Sequence, residues 1–223
     1  MVICIGNSRV VAQTVLGARA LGMGESQVAL PNNDWSVFGN PAMISSKQNS
    51  GSFYGIRNFG FSELKDIAAV VTIPNKFGTA GVGVHRFGDD LFNKTRARIA
   101  YKNSFEGFHY GGVINYTSNS IEGYGSDGAF GIDVGVAAEP IEGLWVGGMA
   151  TNVNQPKIGE ENEELVRVLG FGFTYAILDR ALIASDVIKD VNFPASYRGG
   201  LEVYIIEGLT GRVGVTTKPV AFT

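Results

Sequence analysis

Charged residues recur at alternate positions in stretches that otherwise read as β-strands: Arg96 and Arg98, Asp133, Arg198 and Glu202, and Arg212. Alternate residues of a strand project to one side, so each stretch gathers its charges on a single face. Such a face can pair with neighbouring strands, hold a segment packed against it, or select what passes through a lumen that it lines. Anchoring a packed segment is the first expectation. The two histidines, His85 and His109, would need a serine and an orienting acid within reach to act in hydrolysis. No G-x-S-x-G accompanies them, so they read as lining or rim residues and no enzymatic activity is expected. Gly17, Gly22 and Gly24 invite comparison with a phosphate loop, but no Gly-Lys-Ser/Thr follows. Tight turns in a compact segment explain them better. The stretch Gly123 to Gly128 (GYGSDG) has the glycine–aspartate flavour of a calcium repeat, yet such sites need stacked copies, and one copy reads as a surface turn. The acidic run Glu160 to Glu164 reads as a solvated loop. No cofactor or metal is expected.

Composition narrows the class. The chain has 223 residues, 45% hydrophobic, with 31 glycines and only 17% charged residues. That is long enough for one large β domain and too hydrophobic for disorder. A net charge of −3 offers no basic excess, so nucleic acid is not an expected partner. The lone cysteine, Cys4, rules out an intrachain disulfide framework. Residues 1–12 (MVICIGNSRVVA) read as a residual secretory signal with a small-residue cleavage site before Gln13. An unprocessed N-terminal arm is the alternative. No stretch reaches the roughly 20 apolar residues of a membrane helix.

The elements that must position the charges are strands. From Ser50 onward about eleven candidates appear, several with the roughly 9–11 residues that a tilted strand needs to cross a bilayer. Tight connections at Pro74 to Lys76, Asn103 to Gly107, Glu139 to Gly143, Leu178 to Arg180 and Ile206 to Gly208 alternate with longer ones. The longer ones are Asn58 to Leu64, Gly88 to Asn93, Asn119 to Gly128, Asn154 to Glu164 and Lys189 to Ala195. Short turns on one side and long loops on the other are the habit of a membrane barrel. Alternation agrees. Thr95, Ala97, Ile99 and Tyr101 oppose Arg96, Arg98 and Lys102; Phe130, Ile132, Val134 and Val136 oppose Gly131, Asp133 and Gly135. Tyr54, Tyr101, Tyr110, Tyr116, Trp145, Tyr175 and Tyr197 lie toward strand ends, where interfacial girdles would sit. The expected fold is therefore all-β: an antiparallel, up-and-down transmembrane β-barrel over 50–223 with a short N-terminal plug over 13–49. A soluble β-sandwich binding module, with the two faces exchanged, is the competing reading. Within the plug, Gly17 to Leu30 reads as a short helix or a glycine-rich turn. Asn32 to Asp34 caps a second segment, Trp35 to Phe38, and Asn40-Pro41-Ala42 stops it.

The segment GARALGMGESQVALPNNDWSVFGNPAMIS, Gly17 to Ser45, resembles the N-terminal signature of PorV/PorQ-like outer-membrane proteins, part of the FadL-type barrel group of Bacteroidetes-like bacteria. Gly17, Arg19, Gly22, Gly24, Asn40 and Pro41 carry the likeness. It implies a barrel of about 14 strands with this segment as its plug, so a chain with about eleven reads as incomplete at its C-terminus. The end, Lys218 to Thr223, looks like the start of a further strand. The resemblance also implies the bacterial outer membrane as location and membrane lipid as surroundings. It implies either passage of a hydrophobic or small solute, or a docking role for an exported protein in a type IX secretion-like system. Arg96, Arg98, Asp133, Arg198, Glu202 and Arg212 would then face the lumen.

Overall fold

Period-two alternation with β-branched and aromatic residues at every other position favours a pleated sheet with two unlike faces, and the chain forms one. The structure is a computed structural model that describes residues 15–57, 64–159, 162–178, 180–218 and 220–223. The expected signal segment and most of the Asn58 to Leu64 loop lie outside the described residues. The strands are β1 (Ser50–Arg57), β2 (Lys65–Asn75), β3 (Gly78–Gly88), β4 (Phe92–Phe105), β5 (Phe108–Ile121), β6 (Gly125–Ile141) and β7 (Leu144–Ala150). There follow β8 (Lys157–Ile158), β9 (Glu163–Glu164), β10 (Val168–Ile177), β11 (Ala181–Asp190), β12 (Ser196–Ile206), β13 (Leu209–Thr217) and β14 (Val220–Phe222). All but β8 and β9 form one 12-stranded sheet in which every strand pairs with its neighbour in sequence, β7 passing to β10; β8 and β9 make a separate ribbon. Every pairing is antiparallel, so the topology is a meander. Among the described residues β1 pairs only with β2 and β14 only with β13, and the sheet is not closed into a barrel. The strand count exceeds the expected eleven because Val220–Phe222 pairs with Val215 to Thr217.

The sorted connections persist, with one change. One end of the sheet carries tight turns such as Glu106–Gly107, where φ values of 48° and 80° give the twist a two-residue hairpin requires. At the other end, two expected long loops shrink. Asn119 to Gly128 is mostly ladder, β5 and β6 pairing from Ser118↔Gly128 to Ile121↔Gly125, and Gly88 to Asn93 contributes Gly88↔Asn93 to β3 and β4. Serines, asparagines and glycines suggest turns, but a hairpin ladder already in register extends through them because each added pair satisfies more backbone groups. The long connection between β7 and β10 is genuine and contains the small ribbon.

Before the sheet runs a compact segment, residues 15–45. It holds one helix, α1 (Ala18–Gly22), and two 3₁₀ turns, Asp34–Phe38 and Pro41–Met43. The Asn33 side chain accepts from Trp35 N and caps the first turn, as the Asn32 to Asp34 cluster suggested. The second corrects the expectation for Asn40-Pro41-Ala42. This tripeptide starts a turn rather than stopping one: Asn40 Oδ1 accepts from Ala42 N at 3.1 Å, and Pro41 takes the first helical position, where its missing N–H costs nothing.

The core lies between this segment and one face of the sheet. Leu16, Val37, Phe38 and Ile44 pack on Ala68, Val70, Ala100 and Val113, while Met23 and Leu30 pack on Leu182 and Ala184. We call the segment the hatch. The opposite face of the sheet is bare and apolar: Ile99 and Phe130 are each 66% exposed, Ile114 61% and Phe171 59%. Tyr54 and Trp145 depart from the expected girdle. Both turn inward, Tyr54 onto Trp35 with ring centroids 6.0 Å apart and Trp145 onto the cluster of Ala42, Met43 and Ala137.

Glycine on the inner face lets the hatch backbone approach the sheet. Gly214 of β13 sits against the backbone of Met23 and Gly24, and Gly24 has a φ of 61°, so neither glycine has room for a Cβ. Gly112 faces the other way, and a Cβ there would meet only Asp133 O, at 3.8 Å. Gly214→Ala is accordingly expected to lower stability by about 1–3 kcal/mol and to expose residues 15–45 to protease. Gly112→Ala should stay within about 0.5 kcal/mol of the parent. Equal unfolding midpoints for the two variants would contradict this packing.

Candidate functional site

A sheet face bearing charge can be covered only if each charge finds a partner, because an unpaired buried ion costs several kcal/mol. Here the hatch supplies many of those partners, and the contact surface between the hatch and the 12-stranded sheet, termed the wall below, is the chemically distinctive part of the molecule.

The first clamp centres on Glu202 of β12, 1% exposed. Arg19 of α1 grips it with Nε to Oε2 at 3.0 Å and Nη2 to Oε1 at 2.8 Å, the two-pronged geometry a guanidinium is shaped to make. Arg212, opposite Glu202 in the β12–β13 ladder, donates from Nε to Oε2 at 2.6 Å, and the Tyr204 hydroxyl donates to Oε1 at 2.7 Å. Arg19 Nη1 also donates to Pro31 O at 3.1 Å, tying α1 to the middle of the hatch. One carboxylate thus stands between a hatch arginine and a wall arginine, with Gly22 packed on the Arg212 side chain.

The second clamp is on β11 and β12. Arg198 reaches Glu25 through Nη2 to Oε2 at 3.1 Å and donates from Nη1 to Glu25 O at 3.1 Å. Directly across the ladder, Asp186 Oδ2 accepts from the backbone N–H groups of Gln27 and Val28 at 2.7 and 2.9 Å. The third is on β4 and β6. Arg98 Nη2 lies 3.0 Å from Asp133 Oδ2, while Nη1 donates to Val37 O at 3.1 Å and the guanidinium sits over the Phe38 ring at 5.4 Å. Lys102, two rungs further along the same face, donates from Nζ to Ile44 O at 2.9 Å.

The predicted residues therefore converge. Arg19, Glu202 and Arg212 meet directly, as do Arg98 and Asp133, and Arg198 meets the hatch at Glu25. Arg96 stands apart: its Nε and Nη2 approach His85 Nδ1 at 3.3 and 3.1 Å, and His85 Nε2 contacts Asp66 Oδ1 at 2.7 Å. Asn40 joins hatch to wall, its Nδ2 donating to Val28 O at 2.7 Å and Val136 O at 3.1 Å, and Pro41 lies against Gly111 and Gly135. Gly17, with a φ of 93°, lies against the Trp35 ring.

Sequence reasoning missed Asp66, Asp186, Glu25 and Lys102 as site members. Asp186 had a signal, since it shares the inner face with Ala184 and Ile188 in an alternating run, and so did Lys102, already assigned to the face of Arg96 and Arg98. Glu25 had none, because its role depends on where the hatch backbone runs.

Beside the third clamp lies a pocket of about 50 Å³, lined by Lys94, Arg96, Arg98, Asn115 and Thr117 of the wall and by residues of the β7–β10 connection, Asn152 among them. A comparison with models of known protein families finds no match for this chain. No curated protein matches it either.

The Glu202 clamp invites a double-mutant cycle. Arg19 is a quarter exposed and Glu202 almost fully buried, so Arg19→Ala and Glu202→Ala should show a coupling of about 1–3 kcal/mol in unfolding free energy. Additive effects, with no coupling beyond about 0.3 kcal/mol, would mean the pair does not hold the hatch.

Proposed function

We propose that this chain is the wall and hatch of an outer-membrane β-barrel protein of the PorV/PorQ-like kind its N-terminal segment resembles. In this reading it is a docking platform for an exported protein. The observation that carries the reading is the inversion of the sheet: charged and amide groups are covered and apolar side chains are bare. In β5 the bare face runs from Phe108 through Tyr110 and Ile114 to Tyr116, then turns polar at Ser118 and Ser120. In β6 it runs from Phe130 to Val136. From Phe108 to Tyr116 the strand rises about 27 Å, which at a tilt of about 40° covers about 21 Å of the roughly 25 Å apolar band of a barrel. Aromatic rings mark both margins, Tyr101, Phe108 and Tyr110 on one side and Tyr116 and Phe130 on the other.

A water-soluble sandwich buries its apolar faces between two sheets, and the covered face here carries Arg98, Asp133, Asp186, Arg198 and Glu202 instead. The clamps favour a hatch held in place, which suits a docking platform. The expected alternative of solute passage keeps one support, the small pocket, whose charged, amide and hydroxyl lining suits a small polar solute better than a hydrophobic one.

Two measurements test the membrane reading. In fractionated cells the protein should remain with the outer membrane after a carbonate wash and should migrate differently in gels with and without boiling. Release into the soluble fraction would end the proposal. Independently, Ile99→Arg at the middle of the bare face should cost about 2–4 kcal/mol when the chain is refolded into bilayers. In a water-exposed sheet the same change would stay within about 0.5 kcal/mol.

A further inference from the structure

The inner face of β4 presents three cations in succession, Lys94, Arg96 and Arg98, about 7 Å apart from one to the next. Their surroundings are unequal. Arg98 has Asp133 and Val37 O, and Arg96 has the imidazole of His85, itself engaged by Asp66. Lys94, only partly exposed, has no hydrogen-bond or ion-pair partner among the described residues. All three line the pocket beside the β7–β10 connection, and none of its lining residues is acidic. Asp133, the wall carboxylate that faces Arg98, is already committed. Its Oδ1 accepts from Asn115 Nδ2 at 3.0 Å and Asn152 N at 2.8 Å, and its Oδ2 faces Arg98.

A second observation points to a missing acceptor. Arg98 is 6% exposed, and its Nε is enclosed with no hydrogen-bond partner. Guanidinium nitrogens left without an acceptor in a closed site are costly, and an oxyanion is the acceptor that guanidinium and ammonium groups bind best. The neighbouring groups are fixed in place: Asn152 Nδ2 donates to Val166 O at 2.7 Å, holding the loop over the pocket. A volume of about 50 Å³ suits one compact group rather than a chain of atoms.

We infer that the pocket formed by Lys94, Arg96 and Arg98 under the β7–β10 connection binds one tetrahedral oxyanion, either free phosphate or the phosphate end of a small solute. The site is made by the wall and the loop, on the inner side of the sheet, so it does not depend on what surrounds the outer face. The competing counter-charge is the loop's own acidic run, of which Glu163 and Glu164 are exposed in β9 and Glu163 acts electrostatically on Lys94.

Calorimetric titration of inorganic phosphate into the full-length refolded chain, at constant ionic strength in a low-chloride buffer, tests this. One saturable site is expected. Lys94→Gln, which removes a cation that makes no hydrogen bond or ion-pair contact among the described residues, should weaken binding about tenfold, and Arg96→Gln at least as much. Glycerol phosphate binding as tightly as phosphate would assign the site to the head of a solute; binding of phosphate alone would assign it to the free ion. The inference fails if wild type shows no saturable binding or if Lys94→Gln binds as tightly as wild type. It also fails if binding appears only after Glu163→Gln with Glu164→Gln, since the loop would then supply the anion. A soluble chain that still binds phosphate would refute the membrane reading and leave this one standing.

Discussion

Charge cannot be covered without partners, and that constraint organises this molecule. The inner face of the sheet carries Asp66, Arg98, Lys102, Asp133, Asp186, Arg198 and Glu202, all nearly inaccessible. In bulk water these groups would need nothing from the rest of the chain. Covered, they require fixed donors and acceptors, and residues 15–45 provide many of them: the Arg19 guanidinium, the Glu25 carboxylate, the Gln27 and Val28 amides, and the Val37 and Ile44 carbonyls. The pairing is mutual. A helix of one and a half turns and two 3₁₀ turns are too short to persist in isolation, so the hatch takes its shape from the wall as much as it completes it.

Close approach is the second half of the same arrangement. Side-chain partners reach one another across the interface only where the backbones come near, and inward glycines at Gly83, Gly135, Gly200 and Gly214 are where Phe38, Asn40, Met23 and Gly24 come nearest. The hatch also ties together distant strands. Leu16 packs with Ala68 and Val70 of β2, and three residues later Arg19 holds Glu202 on β12. Because three residues span about 11 Å at most, the sheet must curl so that its early and late strands approach the same stretch of chain.

Much of the sheet was legible in advance because period two is a local property. The opposition of Ile99 to Arg98 or of Phe130 to Asp133 needs no knowledge of distant residues. The tight turns were legible for the same reason, as Glu106–Gly107 shows. What misled was composition read without pairing: Asn119, Ser120 and Gly125 look like a loop until their partners across the hairpin are known. The Asn40-Pro41 step was misread similarly, since Asn and Pro serve equally to end one turn and to begin the next.

By itself the sequence determined that the chain would form long amphipathic strands in a meander, with arginines and acids on one face and branched and aromatic residues on the other, because strand periodicity and turn chemistry act over a few residues. It also placed a compact, glycine-marked segment ahead of them. Only the tertiary structure decided which face is covered, which acid each arginine holds, and that Glu25, Asp186 and Lys102 belong to the interface. Those outcomes depend on contacts between residues up to 183 positions apart, where a folded backbone sets the distance and no local pattern records it.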